Sequence, residues 1–163
     1  LTAKVKNQLV NTLAIYSGTS GLAGGQFFDL TYENKKISKE KIINMQKGKT
    51  GKLFSFCCES IAIIKGQTDA KRMELKKIGL DIGLLFQIAD DLLDYKGDSK
   101  IVGKPTKSDK KKGKQTLINY LGYKKTLIYA NDLKDKLNIK IKKYGIKSND
   151  LLQSVEFILS RNF

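Results

Sequence analysis

Apolar residues recur at helical spacing along nearly the whole chain, and strand-like alternation is scarce. Residues 2–16 carry Val5, Leu9, Leu13 and Tyr16 on one stripe that stops at Ser17-Gly18. A glycine-rich stretch, "GTSGLAGGQFFDL", follows, with Gly24-Gly25-Gln26 in a predicted break between helices. Residues 31–37 read as a polar loop. Ser38 has the character of an N-cap, with Glu40 and Lys41 behind it, and opens a helix to about residue 64. Gly66-Gln67-Thr68-Asp69 is a break. Residues 70–96 form the strongest helical pattern, through Met73, Ile78, Leu80, Ile82, Leu84, Leu85, Ile88 and Leu92. Apolar positions nearly surround that helix, which predicts a place at the centre of a bundle. The stretch from Gly97 to Lys114 is rich in Gly, Pro and Lys and reads as a mobile loop. Residues 115–144 resume helical character through Leu117, Leu121, Leu127, Ile128, Leu133 and Leu137. A turn, an N-cap at Ser148 or Asn149 and a short helix close the chain. No repeat and no second domain is visible. The expectation is an all-α, bundle-like fold of about five helices.

Composition narrows this picture. The 163 residues are 40% apolar, enough for one domain with a packed core. Lys and Arg number 31 against 16 Asp and Glu, a formal charge of +15. Such a balance attracts anions: phosphorylated metabolites, nucleic acid or an anionic membrane surface. Lysine-rich solvated helix faces account for it equally well. His is absent, which excludes His-based catalysis and His metal ligands within this chain. The adjacent Cys57 and Cys58, in an apolar segment, read as buried reduced thiols of a cytoplasmic protein. There is no signal peptide and no membrane-length apolar run, so no stable membrane anchor is expected. The chain starts at Leu1 rather than Met, which suggests a fragment.

The candidate chemistry lies in "QIADDLLDYKGD", residues 87–98. Gln87, Asp90, Asp91 and Asp94 share a helix face at i, i+3/i+4 and i+7, inside an apolar run. Carboxylates that close repel one another unless a cation lies between them or one is protonated. Magnesium (Mg2+) suits them: it takes hard oxygen ligands and is commonly shared with phosphate oxygens. The plain alternative is a helix end whose aspartates meet solvent or lysines. Lys49-Thr50-Gly51, Gly24-Gly25-Gln26, and Lys104 and Lys114, each preceded by Gly, add anion-binding character. Against this, Lys49 also reads as a surface lysine. The stretch from Lys104 to Lys114 holds six lysines in eleven residues and also reads as a solvated loop.

These segments together resemble the trans-isoprenyl diphosphate synthase family, of the farnesyl/geranylgeranyl diphosphate synthase type. The resemblance rests on "GLAGGQFFDL" (21–30), "KTGKLF" (49–54), "GLLFQIADDLLDYKGD" (83–98), "GK" (103–104), "DKKKGKQT" (109–116) and the terminal "SRNF", in the family's order. It covers the whole chain but only the C-terminal half of the family, so residues 1–163 are expected to be the C-terminal part of a single polyprenyl synthetase domain. The first aspartate motif, the Arg pair after it and the isopentenyl diphosphate site of the first half have no counterpart here. The chain is then a fragment of a longer one, or its N-terminal half is a separate piece.

The resemblance implies a helical isoprenoid synthase fold around a deep apolar cavity. It implies a prenyltransferase that joins an allylic diphosphate (dimethylallyl or geranyl) to isopentenyl diphosphate, giving a short polyprenyl diphosphate such as farnesyl or geranylgeranyl. By the same resemblance Asp90 is the main metal ligand, Asp94 assists directly or through water, and Asp91 contributes through water or from behind. Magnesium is the implied ion, with manganese (Mn2+) able to replace it. Lys49, Lys104 and Lys114 match diphosphate-binding lysines. Thr50 and Gln87 match groups whose oxygens face the reacting allyl carbons. Gln26 and Phe86 match groups beside the homoallylic substrate. A homodimer is implied.

One departure is Leu117-Ile118, where the family usually has an aromatic residue and a proline; it bears on Lys114. Two other readings stay open. One is a non-catalytic subunit or relic of the same fold. The other is a basic nucleic-acid-binding helical protein; the absence of a helix-turn-helix and of aromatics among the lysines argues against it, and no nucleic-acid partner is expected.

Overall fold

The computed structural model describes residues 1–96 and 113–161. The described residues are helical, with no strand among them. Eight α-helices follow in order: α1 (Ala3–Ser17), α2 (Leu22–Thr31), α3 (Lys39–Gln46), α4 (Lys52–Ile64), α5 (Asp69–Lys96), α6 (Leu117–Leu121), α7 (Tyr123–Lys142) and α8 (Asn149–Ser160). A π-helical turn, Lys47–Gly51, joins α3 to α4, and a 3-10 turn, Gly145–Ser148, precedes α8. The all-α expectation holds.

The 28-residue α5 is the axis of the fold. It packs against α3, α4, α6, α7 and α8. Its Ile78, Leu84, Leu85, Ile88, Ala89 and Leu92 are at most 1% exposed, in one core with Ile42, Leu117, Leu137, Ile141 and Val155. Each Leu, Ile or Val side chain among them contributes about 1.5–3 kcal/mol of apolar burial. The pattern that encircles α5 in sequence therefore reflects burial on most of its sides.

Five expectations are corrected. The described residues alone form eight helices, against the expected five. The single helix from Ser38 to about residue 64 is interrupted by the π-helical turn, although Ser38 does cap its start, its Oγ accepting from the Lys41 N–H at 3.3 Å. Gly24, Gly25 and Gln26 lie within α2 rather than in a break. Glycine there does not end the helix; it permits backbone contact, because a Cβ on Gly25 would lie 2.0 Å from the Lys49 N. Residues 115–144 are two helices divided at Gly122, whose φ of +80° favours glycine. Cys57 is exposed and Cys58 only half-buried, because α4 turns that face outward. Burial still pushes the Cys58 thiol up to about 11, with the neighbouring Cys57 adding to the shift.

The stripe on α1 reaches the interior only at Tyr16. Leu13 is exposed, as are Val10 and Ile15. Met73 and Ile128 are likewise exposed. Among the described residues no helix is long and apolar enough to cross a membrane.

Candidate functional site

Three backbones meet where the motifs converge. Gly25 on α2 packs on the π-helical turn, and Gly83 on α5 approaches the same turn, its added Cβ falling 2.5 Å from the Gly51 Cα. Close packing at these glycines fixes α2, the turn and α5 relative to one another. Asp29, one helical turn beyond Gly25, then faces Lys49. Thr50 faces Gln87, one turn beyond Gly83.

The result is a cavity of about 230 Å3 lined by Asp29, Met45, Gln46, Lys49, Gln87, Asp90, Asp91, Lys114, Gln115 and Thr116. Lys49 Nζ donates to Asp29 Oδ2 at 2.6 Å, and Lys114 Nζ is 3.9 Å from the same oxygen. Asp29 is buried, so its carboxylate gathers two cations on one wall. A hydrogen-bond chain next to it runs across three elements. Thr50 Oγ1 donates to Gln87 Oε1 at 2.9 Å, and Gln87 Nε2 donates to Asp91 Oδ1 at 2.9 Å. Gln46 Nε2, at the end of α3, donates to Asp91 Oδ2 at 2.8 Å. Asp90 is half-buried and lines the cavity; Asp94 is buried and is not part of its lining.

Lys114 is presented by a short segment that is tied down. Asn34 N–H donates to the Gly113 carbonyl at 2.9 Å, Gln115 Nε2 donates to the same carbonyl at 3.0 Å, and Asn119 Nδ2 donates to the Lys114 carbonyl at 2.7 Å. Thr116 caps α6 through Asn119 N–H at 3.2 Å. The departure at Leu117-Ile118 therefore still starts a helix in place, with both residues buried.

Of the residues singled out in the sequence, Lys49, Gln87, Asp90, Asp91 and Lys114 line one cavity, and Thr50 is bonded to its wall. Gln26 and Phe86 are half-buried and are not among its lining residues. Phe86 instead meets Phe54, with ring centroids 5.5 Å apart, and lies under the Arg161 guanidinium at 4.7 Å. Lys104 lies outside the described residues, as do Asn162 and Phe163 of the terminal motif. Sequence reasoning missed Asp29 and Gln46. Asp29 had a signal: it stands four residues after Gly25 in the quoted "GLAGGQFFDL". Gln46 had none, because its partner Asp91 is 45 residues away.

The donor set suits a hard cation in part. Carboxylate, amide and hydroxyl oxygens are present, and Gln46 Oε1 is buried without a partner among the described residues, an acceptor ready for a bound water. Among the described residues, however, no three acidic or Cys side chains form a cluster able to hold an ion. An ion held here would therefore need ligands beyond these side chains, and magnesium commonly keeps several waters.

Known proteins share this arrangement of segments. The polyprenyl synthetase family model matches residues 1–151. The farnesyl diphosphate synthase of Micrococcus luteus is 32% identical over 99% of this chain and 56% of its own length. The geranylgeranyl diphosphate synthase of Saccharolobus solfataricus is 36% identical over 84% of this chain and 41% of its own. In fold, a Helicobacter pylori geranyltransferase complexed with magnesium and isoprenyl diphosphate matches at a TM-score of 0.82 and 27% identity, across 98% of this chain and 52% of that one. A farnesyl/geranylfarnesyl (FPP/GFPP) synthase from Zymomonas mobilis matches at a TM-score of 0.82 and 35% identity, across 96% and 52%. The chain spans about half the length of these relatives. Within that half, the matched residues run from α1 into α8 and take in the whole described cavity, so the chain belongs to the polyprenyl synthetase family.

Proposed function

We propose that this chain is the diphosphate-holding C-terminal half of a short-chain prenyl diphosphate synthase, which joins an allylic diphosphate to isopentenyl diphosphate. The observation that supports this reading best is the cavity itself, where Lys49, Lys114 and Asp90 line one space of about 230 Å3 and both lysines gather at Asp29. Two lysine ammonium groups offer donors to a diphosphate, and charge-assisted bonds of that kind are the strong ones.

Asp90 is the carboxylate best placed to hold magnesium, or manganese in its place. Asp91 is held by Gln46 and Gln87 and acts from behind, and Asp94 assists from the next turn. When bound, the ion would neutralise charge on the departing diphosphate. Lys49 and Lys114 would contribute to the same end, and Lys104 would join them. In the reaction the allylic carbon–oxygen bond breaks and its electron pair leaves with the diphosphate. The double bond of isopentenyl diphosphate then forms the new carbon–carbon bond. A proton leaves the adduct, and the released diphosphate can take it, which suits a chain without His. Thr50 and Gln87 would offer oxygen atoms to the allylic carbons, where their dipoles favour positive charge. Gln26 and Phe86 stand on the side assigned to the homoallylic substrate.

Half of the relatives' length is outside this chain, and that half is the partner the cavity needs. A homodimer of complete subunits in the cytoplasm is the assembly we assign. The test is product analysis of the native-length protein with labelled isopentenyl diphosphate and dimethylallyl or geranyl diphosphate. Labelled polyprenyl diphosphate formed only with magnesium or manganese supports the reading. A native-length protein that binds both substrates and forms no product favours the non-catalytic relic of the same fold.

A further inference from the structure

Gln46 ends α3 and is 3% exposed. A polar side chain buried that deeply is costly unless its atoms find partners. Its Nε2 donates to Asp91 Oδ2 at 2.8 Å, whereas its Oε1 is buried without a hydrogen-bond partner among the described residues. Gln46 also lines the cavity beside Asp90, Asp91 and Gln87.

The direction of this network follows from chemistry. A carboxylate only accepts, so Gln46 must turn its NH2 group toward Asp91 and cannot exchange its oxygen for its nitrogen. The same holds for Gln87, whose NH2 meets Asp91 Oδ1 at 2.9 Å. Gln87 Oε1 is thereby committed to accept from Thr50, at 2.9 Å. The Thr50 hydroxyl proton points at Gln87. Everything in this chain is set by how Asp91 is oriented, and one of its two oxygens is held from α3 by Gln46.

We propose that Gln46 is a positioning residue for the diphosphate site: it locks Asp91, and through Asp91 sets the orientation of Gln87 and Thr50. Its Oε1 takes a hydrogen bond from a water carried into the cavity with the diphosphate. The inference rests on reading the cavity as a diphosphate site, and its test separates the two.

Gln46→Met keeps length and burial while removing both donor and acceptor. Gln46→Glu keeps the acceptor and sets a second carboxylate against Asp91. On the full chain, side-chain amide exchange of Gln87 is followed by NMR, and binding of inorganic pyrophosphate with magnesium is followed by calorimetry. In both variants Gln87 amide exchange is expected to quicken, and pyrophosphate binding to weaken by about 10–100-fold, as for other residues that orient a metal ligand. Unchanged Gln87 exchange in a folded variant overturns the positioning role, as does unchanged pyrophosphate affinity. A wild-type chain that binds no pyrophosphate instead fails the reading of the cavity. Gln87 exchange in Gln46→Met still decides the positioning role in that case.

Discussion

Asp29 on α2 and Lys49 on the π-helical turn form an ion pair at 2.6 Å, with the Asp29 side chain 7% exposed and that of Lys49 27% exposed. The pair joins two elements that also touch through Gly25. It holds a cation at the cavity wall before any anion arrives. Because Lys114 lies 3.9 Å from the same oxygen, one carboxylate organises both lysines.

Asp29→Asn leaves two lysines near a neutral amide. Removing one partner of a buried pair is destabilising, but the part exposure of Lys49 discounts it to about 1–2 kcal/mol. The expected loss of thermal midpoint is about 2–8 °C for a chain of this size, read by circular dichroism. A variant as stable as the parent would show that Asp29 organises nothing.

Lys49→Gln should retain the fold and weaken pyrophosphate binding. Hydrogen bonds to charged groups are worth about 1.5–3 kcal/mol, a loss of about 10–150-fold in affinity. Calorimetry with magnesium present measures it. An unchanged affinity would remove Lys49 from the site.

Gly25→Ala tests the backbone contact that builds the site. Its Cβ would fall 2.0 Å from the Lys49 N and 2.5 Å from the Gly48 carbonyl carbon, both backbone atoms that cannot rotate away. The expected cost is about 3 kcal/mol, the upper range for overpacking. A melting curve within 2 °C of the parent, roughly the shift of a sub-kcal/mol change, would contradict the close approach.

The pH dependence of stability should report Tyr16. Its hydroxyl donates to Glu59 Oε2 at 2.6 Å, Arg72 binds the other oxygen at 3.0 Å, and the Lys52 and Lys76 ammonium groups lie 4.9 and 5.2 Å from its ring centre. Burial raises the Tyr16 pKa most, followed by the Glu59 hydrogen bond and charge. A pKa raised on folding stabilises the native state fully below the unfolded value, near 10 for tyrosine, and the gain is lost as pH climbs toward the folded value. Between about pH 9.5 and 11.5 the parent should therefore lose stability faster than Tyr16→Phe. Parallel melting curves across that window would show that the Tyr16 proton does not matter to stability.

How much of this was legible in the sequence depended on range. α5 was read almost to its ends because burial on most sides left a long apolar pattern, and the spacing of Gln87, Asp90 and Asp91 needs only the helical repeat. Lys49 and Thr50 were found through their motif, but not the π-helical turn beneath them. That turn depends on Gly25 and Gly83 meeting the turn's backbone from other helices. Gly24 and Gly25 read as a helix break because glycine is a poor helix former; tertiary contact at Gly25 overrides that preference. The α1 stripe has the helical spacing that the sequence predicts, yet Leu13 stays exposed, since no described element covers it. Gln46 and Asp29 act through partners on other elements; nothing local marks Gln46, and Asp29 is marked only by standing four residues after Gly25.

Calorimetry of inorganic pyrophosphate against the parent chain and Asp90→Ala, with magnesium and then with chelator, tests whether Asp90, Lys49 and Lys114 form a metal-dependent diphosphate site. The parent should bind with magnesium and lose binding on chelation, and Asp90→Ala should lose binding at an unchanged helical circular dichroism signal. Pyrophosphate binding that persists in Asp90→Ala or in chelator, and collapses instead with added salt, would contradict the metal site and leave a basic anion-binding surface in its place.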